Sequence, residues 1–176
     1  MESDMILKRL EYVKAIFLDV DGVLTDGSIF VNEVGEQLRT FNVKDGYAIQ
    51  LAIKKGIKIC VITGGKSEGV LRRFEGLGVE EIHMGITDKL AILEAILERY
   101  QINKEEVLFI GDDMPDLACM QYVGIAAAPQ DAVEEIKAIS HYISSKEGGR
   151  GVVRDVVEKV LKLQNKWGAD FSVKSV

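Results

Sequence analysis

An α/β fold on a mostly parallel sheet is predicted by three observations. Short runs of apolar residues alternate with helix-length amphipathic segments along the chain. Four of those runs, AIFLDV, KICVIT, EVLFIG and GIAAA, are almost continuously apolar, as strands buried on both faces must be. Only two prolines and no repeat or low-complexity segment interrupt the alternation, so 1–176 reads as a single domain.

The elements follow in order. AIFLDV is the first strand. SIFVNEVGEQLRTFNV has two extended halves around Asn32-Glu33-Val34-Gly35, which predicts a β-hairpin flap over about 28–43. Asp45 is expected to cap a helix that runs to about Lys55 and stops at Gly56. IKICVIT is the second core strand. Ser67 opens a helix to about Leu77, closed by Gly78, and EIHMG is a short strand. Thr87 or Asp88 starts the long helix through Tyr100. EVLFIG is a further buried strand, and Asp113 with Pro115 makes a helix start. GIAAA, a helix from Asp131, HYISS and a helix from about Gly151 to Leu163 complete the pattern. The tail from about 165 to 176, with Trp167 and Phe171, is expected to be mobile or docked on a neighbouring subunit. The whole is a Rossmann-like three-layer α/β/α sandwich.

Composition narrows the function. A net charge of −6 argues against nucleic acid as a partner. The start, MESDMILKRLEYVKAI, has mixed charges and no long apolar run, so no signal peptide or membrane span is expected and the cytoplasm is the expected location. Cys60 and Cys119 lie in apolar surroundings and read as core thiols, and His83 and His141 as structural residues.

Ligands of parallel sheets bind outside the carboxyl ends of the strands. Asp19 and Asp21 stand at the first such end, Thr63 and Gly64 at the second, and Asp112, Asp113 and Asp116 at another. Lys89 begins the helix after EIHMG. Clustered carboxylates repel unless a cation sits among them. Oxygen ligands without Cys or His favour Mg²⁺, which completes its shell with water and phosphate. Thr63, Lys89 and the glycine N–H groups suit a phosphoryl group. The spacing of Asp19 and Asp21, two residues along a strand, puts both side chains on one face. Asp26, Asp45 and Asp131 read as caps or turn formers.

Four segments, DVDGV, ITG, Lys89 and GDDMPD, resemble in order and spacing the motifs of the haloacid-dehalogenase phosphatase superfamily. The resemblance implies Asp19 as nucleophile and Asp21 as acid and base. It also implies Mg²⁺ on Asp19, the Asp21 carbonyl and Asp112, with Asp113 and Asp116 orienting water or Lys89, and Thr63 and Lys89 on the phosphoryl oxygens. The intervals Asp21–Thr63 and Thr63–Lys89 leave no room for a cap domain, so the site is open or closed by another subunit.

The segments VLTDG, GEQLRTFNVKDGYAIQLA, LRRFEGLGV and EGGRGVVRDVVEKVL further resemble the capless branch that hydrolyses 3-deoxy-D-manno-octulosonate (KDO) 8-phosphate. That resemblance implies a phosphorylated keto sugar acid as substrate and a homotetramer with shared sites. Arg72, Arg73 and Lys66 are candidates to meet the substrate carboxylate, and Arg150, in a flexible Gly148–Gly151 loop, is a candidate to contact substrate unless that loop lets the tail reach an adjacent site. Gly65 stands where relatives carry a charged residue, which keeps nonulosonate 9-phosphates as an alternative. A receiver-like phosphoacceptor module is the alternative of a different class, although its acceptor aspartate would lie on a middle strand.

Overall fold

The computed structural model describes residue 6 and residues 8–174. A six-stranded parallel sheet has the order β5-β4-β1-β6-β7-β8, where β1 is Ala15–Leu18, β4 Lys58–Thr63, β5 Glu81–Met84, β6 Val107–Ile110, β7 Ile125–Ala128 and β8 Tyr142–Ile143. The hairpin strands β2 (Phe30–Val31) and β3 (Gln37–Leu38) pair antiparallel and separately from this sheet.

Helices α1 (Val43–Lys54), α2 (Glu68–Gly76) and α6 (Val152–Leu163) cover one face. Helices α3 (Lys89–Tyr100), α4 (Leu117–Tyr122) and α5 (Glu134–Ile139) cover the other. All four residues of β1 are fully buried. Ile16 and Leu18 enter the first core, while Ala15 and Phe17 enter the second. This alternation is why the strand reads as continuously apolar.

From β1 the chain crosses to β4 and β5 on one side and then returns to β6, β7 and β8 on the other. The strand order reverses between β1 and β6, and the crevice at their carboxyl ends is the natural ligand site of such a sheet.

Several local expectations need correction. Asn42, not Asp45, caps α1, by accepting from the Lys44 N–H. Asp45 lies buried in the first turn, where its Oδ1 accepts the Arg154 N–H at 2.6 Å. It serves the N-terminus of α6, whose own cap position, Gly151, has no side chain to do so. Asp131 does not begin a helix either: α5 starts at Glu134, and Asp131 accepts the Gly148 N–H instead. The tail is docked on its own chain. Lys54 pairs with Asp170 at 2.8 Å, Gln50 donates to the Lys174 carbonyl, and the Arg154 guanidinium lies over the Trp167 ring. Residues 175 and 176 lie outside the described residues.

Cys60 and Cys119 are buried and free, and burial raises both thiol pKa values. His141 Nδ1 accepts the Ala126 N–H and His83 pairs with Glu81, both structural contacts. Among the described residues no helix is long and apolar enough to cross a membrane.

Candidate active site

The switch-point crevice opens into a pocket of about 480 Å³ lined by Asp19, Asp21, Thr63, Gly64, Gly65, Lys89, Asp112, Asp113 and Asp116, among others. Each residue arrives there for a local reason. Asp19 follows β1 directly, and its N–H extends the ladder to the Ile110 carbonyl at 3.1 Å. Asp88 caps α3 through the Ala91 N–H, which sets Lys89 at the first helical position. Asp113 caps a single 3₁₀ turn over Met114–Asp116 and turns Asp116 back toward the rim.

Lys89 is the hub. Its Nζ donates to Asp19 Oδ1 and Asp116 Oδ1, each at 2.7 Å, and all three side chains are nearly inaccessible. Burial works against the ammonium, but Asp19 and Asp116 outweigh it and hold Lys89 above the ordinary lysine value. Burial, reinforced by Asp116, raises Asp19 against the pull of Lys89.

Asp112 has no such partner. Its Oδ1 is buried without a hydrogen bond, and burial together with Asp19, Asp116 and Asp113 pushes its pKa up to about 8. Carboxylate oxygens of Asp19, Asp112 and Asp116 lie within 4.8 Å of one another. Both Asp116 oxygens are already engaged, Oδ1 by Lys89 and Oδ2 by the Asp112 N–H at 3.1 Å. That leaves Asp19 and Asp112 as the carboxylates free to hold a cation. An orphaned, buried, all-oxygen donor set with one ammonium nearby fits a hard divalent ion.

The backbone is shaped to the same end. Gly22 has φ +92°, and a Cβ there would stand 1.9 Å from Asp112 Oδ2. Gly148 and Gly149 in turn press on the loop that carries Asp21. A Cβ on Gly148 would meet the Gly22 carbonyl oxygen at 2.0 Å, and the Gly149 N–H donates to the Val23 carbonyl at 2.9 Å. This segment is a wedge under the loop that carries Asp21 rather than a free one.

The other candidates fall outside the pocket. Arg150 is exposed, 3.7 Å from Asp26, and Arg72 pairs with Glu68 along α2. Arg73, also on α2, has its pKa lowered by burial. The side chain of Lys66 lies across Gly85 next to the rim. Asp26 accepts the Ser28 N–H in the expected turn.

One residue went unread. Arg39, at the foot of the flap, donates to both oxygens of Asp21, Nε to Oδ1 at 2.7 Å and Nη2 to Oδ2 at 3.1 Å. The available signal was topological: a hairpin rooted just after Asp21 returns its last residues to the same rim.

A doubly wound parallel sheet without a cap, carrying a carboxylate cluster and a lysine at its switch point, is the architecture of a haloacid dehalogenase-like hydrolase. The model of the family so described matches residues 81–155, which include Lys89, Asp112 and Asp116. Curated relatives include the KDO 8-phosphate phosphatases KdsC of Escherichia coli K12, 38% identical over 94% of this chain and 88% of that protein, and of Yersinia pestis, 36% identical over 93% and 88%. The crystal structure of the Yersinia pestis phosphatase superposes with a TM-score of 0.91 at 36% identity over 93% of this chain and 88% of that one. The Moraxella catarrhalis phosphatase, solved with magnesium, phosphate and KDO, superposes with a TM-score of 0.89 at 37% identity over 92% and 93%. The chain belongs to the KDO 8-phosphate phosphatase family. That membership favours a phosphatase over a receiver-like module.

Proposed function

We propose that this protein is a Mg²⁺-dependent phosphomonoesterase that releases phosphate from KDO 8-phosphate through an aspartyl-phosphate intermediate. The observation that carries the chemistry is the orphaned Asp112 oxygen beside Asp19, with Lys89 neutralising only part of the cluster. The sugar acid rests on the octulosonate phosphatase relatives and on the KDO bound in one of them.

In this reading Asp19, Asp112 and the Asp21 backbone carbonyl hold Mg²⁺, which supplies Lewis-acid neutralisation of phosphoryl charge when bound. An Asp19 carboxylate oxygen attacks phosphorus while the bond from phosphorus to the ester oxygen breaks. The Asp21 carboxyl gives its proton to that departing oxygen. Asp21 then takes a proton from water as the water oxygen attacks phosphorus, the Asp19 acyl–phosphate bond breaks and inorganic phosphate leaves. Lys89 fixes one oxygen of Asp19 and, with the Thr63 hydroxyl and the Gly64 N–H, faces the developing charge on the phosphoryl oxygens. Asp116 positions Lys89, and Asp113 holds the turn that presents Asp116.

The flap supports a homotetramer with shared sites. Phe30, Val31, Val34 and Leu38 are more than half exposed on it, an apolar surface that a second copy would cover. Phe41, at the root of the flap, is instead anchored edge-on against Phe74 of its own chain. A cytoplasmic location accords with the absence of a membrane-length helix among the described residues.

The deciding experiment is a steady-state comparison of KDO 8-phosphate with nonulosonate 9-phosphates, with Mg²⁺ and after chelation. Preference for the octulosonate, lost with EDTA and restored by Mg²⁺, is expected; preference for a nine-carbon ester would overturn the substrate. Sedimentation equilibrium showing only monomer would remove the shared site.

A further inference from the structure

Arg39 lies on an exposed hairpin, yet its side chain is only 4% accessible, and the Asp21 side chain it grips is 29% accessible. Its guanidinium spends one N–H on the Gln37 carbonyl at 3.3 Å and its fork on the two oxygens of Asp21. The grip depends on a missing side chain. A Cβ on Gly65 would stand 3.2 Å from Arg39 Nη2 and 3.4 Å from Asp21 Oδ2, so the guanidinium fills the notch that Gly65 leaves open. Two residues beyond Arg39, Phe41 is locked against Phe74 with ring centroids 5.6 Å apart, which fixes the root of the arm.

From this geometry we propose that Arg39 is a positioning residue for Asp21, making proton delivery to the departing ester oxygen depend on the flap and on a glycine at position 65. The inference rests on the reading of Asp21 as acid and base. The terminal torsion of an aspartate is broad and sets where its oxygens point. A planar two-point fork fixes that torsion, whereas a lysine ammonium at the same place would leave it free. Each carboxylate oxygen has two lone-pair directions, so a fork on one side leaves the pocket side available to the ester oxygen. The residue touches no reacting atom itself; it acts through Asp21.

A group that positions the proton donor matters only for esters that need the proton. An alkoxide leaves poorly unless protonated; p-nitrophenolate leaves unaided. The test is therefore kcat/KM of the Mg²⁺-loaded enzyme on KDO 8-phosphate and glycerol 1-phosphate, set against p-nitrophenyl phosphate. kcat/KM reports the step in which the ester oxygen departs and excludes the later hydrolysis common to all substrates.

Arg39→Ala should lower kcat/KM on the alkyl esters about 10²-fold, the scale of a misplaced catalytic group. The aryl ester should change less than about 3-fold, well short of a general acid's usual contribution. Arg39→Lys should share the defect, and free guanidinium should restore part of the alkyl activity of Arg39→Ala. An equal fall on both ester classes, or no fall on either, would overturn the proposal. If Arg39→Ala fails to fold by circular dichroism, Arg39→Lys, which keeps the charge and loses the fork, decides alone by the same ratio. A wild-type enzyme that cleaves glycerol 1-phosphate but not KDO 8-phosphate would count against the substrate alone and leave the ratio readable.

Discussion

Two aspartates in partly buried surroundings have opposite fates in this molecule. Asp155, in the first turn of α6, accepts from the Tyr142 hydroxyl at 2.6 Å, the Ser144 hydroxyl at 2.7 Å and the Lys159 ammonium. Burial works against its charge, yet these three donors outweigh it and hold its carboxyl below the ordinary value. Asp112, at the rim between β1 and β6, is pushed the other way, to about 8, with one oxygen left unpartnered. A folded chain that can satisfy Asp155 so fully and leaves Asp112 bare has arranged the second for something from solution. What separates the two is place: Asp155 finds its donors inside the fold, whereas Asp112 lines the pocket beside Asp19.

The comparison can be broken in four ways. The largest effect belongs to Asp19→Asn, which should cut turnover at least about 10⁴-fold, with an unchanged circular dichroism spectrum; phosphate release near the wild-type rate would remove the nucleophile. Asp112→Asn should lower kcat/KM more than about 10²-fold, beyond what a ligand-supporting group costs. It should also stabilise the metal-free protein by about 1 kcal/mol and cancel the thermal shift caused by Mg²⁺. A destabilised metal-free variant in calorimetry would show that the cluster is content without an ion.

Asp155→Asn should have the opposite signature, a stability loss of about 1–3 kcal/mol in urea titration with kcat/KM of the folded protein unchanged. The fourth way is through pH dependence. Asp112 moves from an ordinary 3.8 to about 8, so the folded state keeps a proton that the unfolded chain has released. That contribution is whole below 3.8 and is lost as pH rises through about 8. The melting temperature of the metal-free protein should fall across this window, and Mg²⁺ should flatten the slope. Scanning fluorimetry at pH 5 and pH 8 with and without the ion checks both; a level metal-free profile would contradict the isolation of Asp112.

The rim was legible because strand ends are legible. A buried strand must stop being apolar where it leaves the sheet, so Asp19, Thr63 and Asp112 stand out against AIFL, KICVI and VLFI. Caps within one segment, such as Ser67 and Asp88, were equally readable because each bonds its own first turn. Contacts between distant segments were not. Asp45 resembles the cap of its own helix and instead serves Arg154, 109 residues away. Arg39 carries no local signal, because nothing near it in sequence records that Asp21 lies opposite. The Gly148–Gly151 segment read as flexible because glycine signals either freedom or close approach, and only the tertiary neighbour decides which.

The wedge formed by Gly148 and Gly149 has a consequence for biosynthesis. Translation delivers Asp19 early, and the other carboxylates and the lysine of the cluster have been made by residue 116, yet the loop beneath them lacks its wedge until residue 149 clears the ribosome. A chain interrupted between residues 116 and 148 would therefore carry the whole cluster with nothing pressing on the loop beneath it.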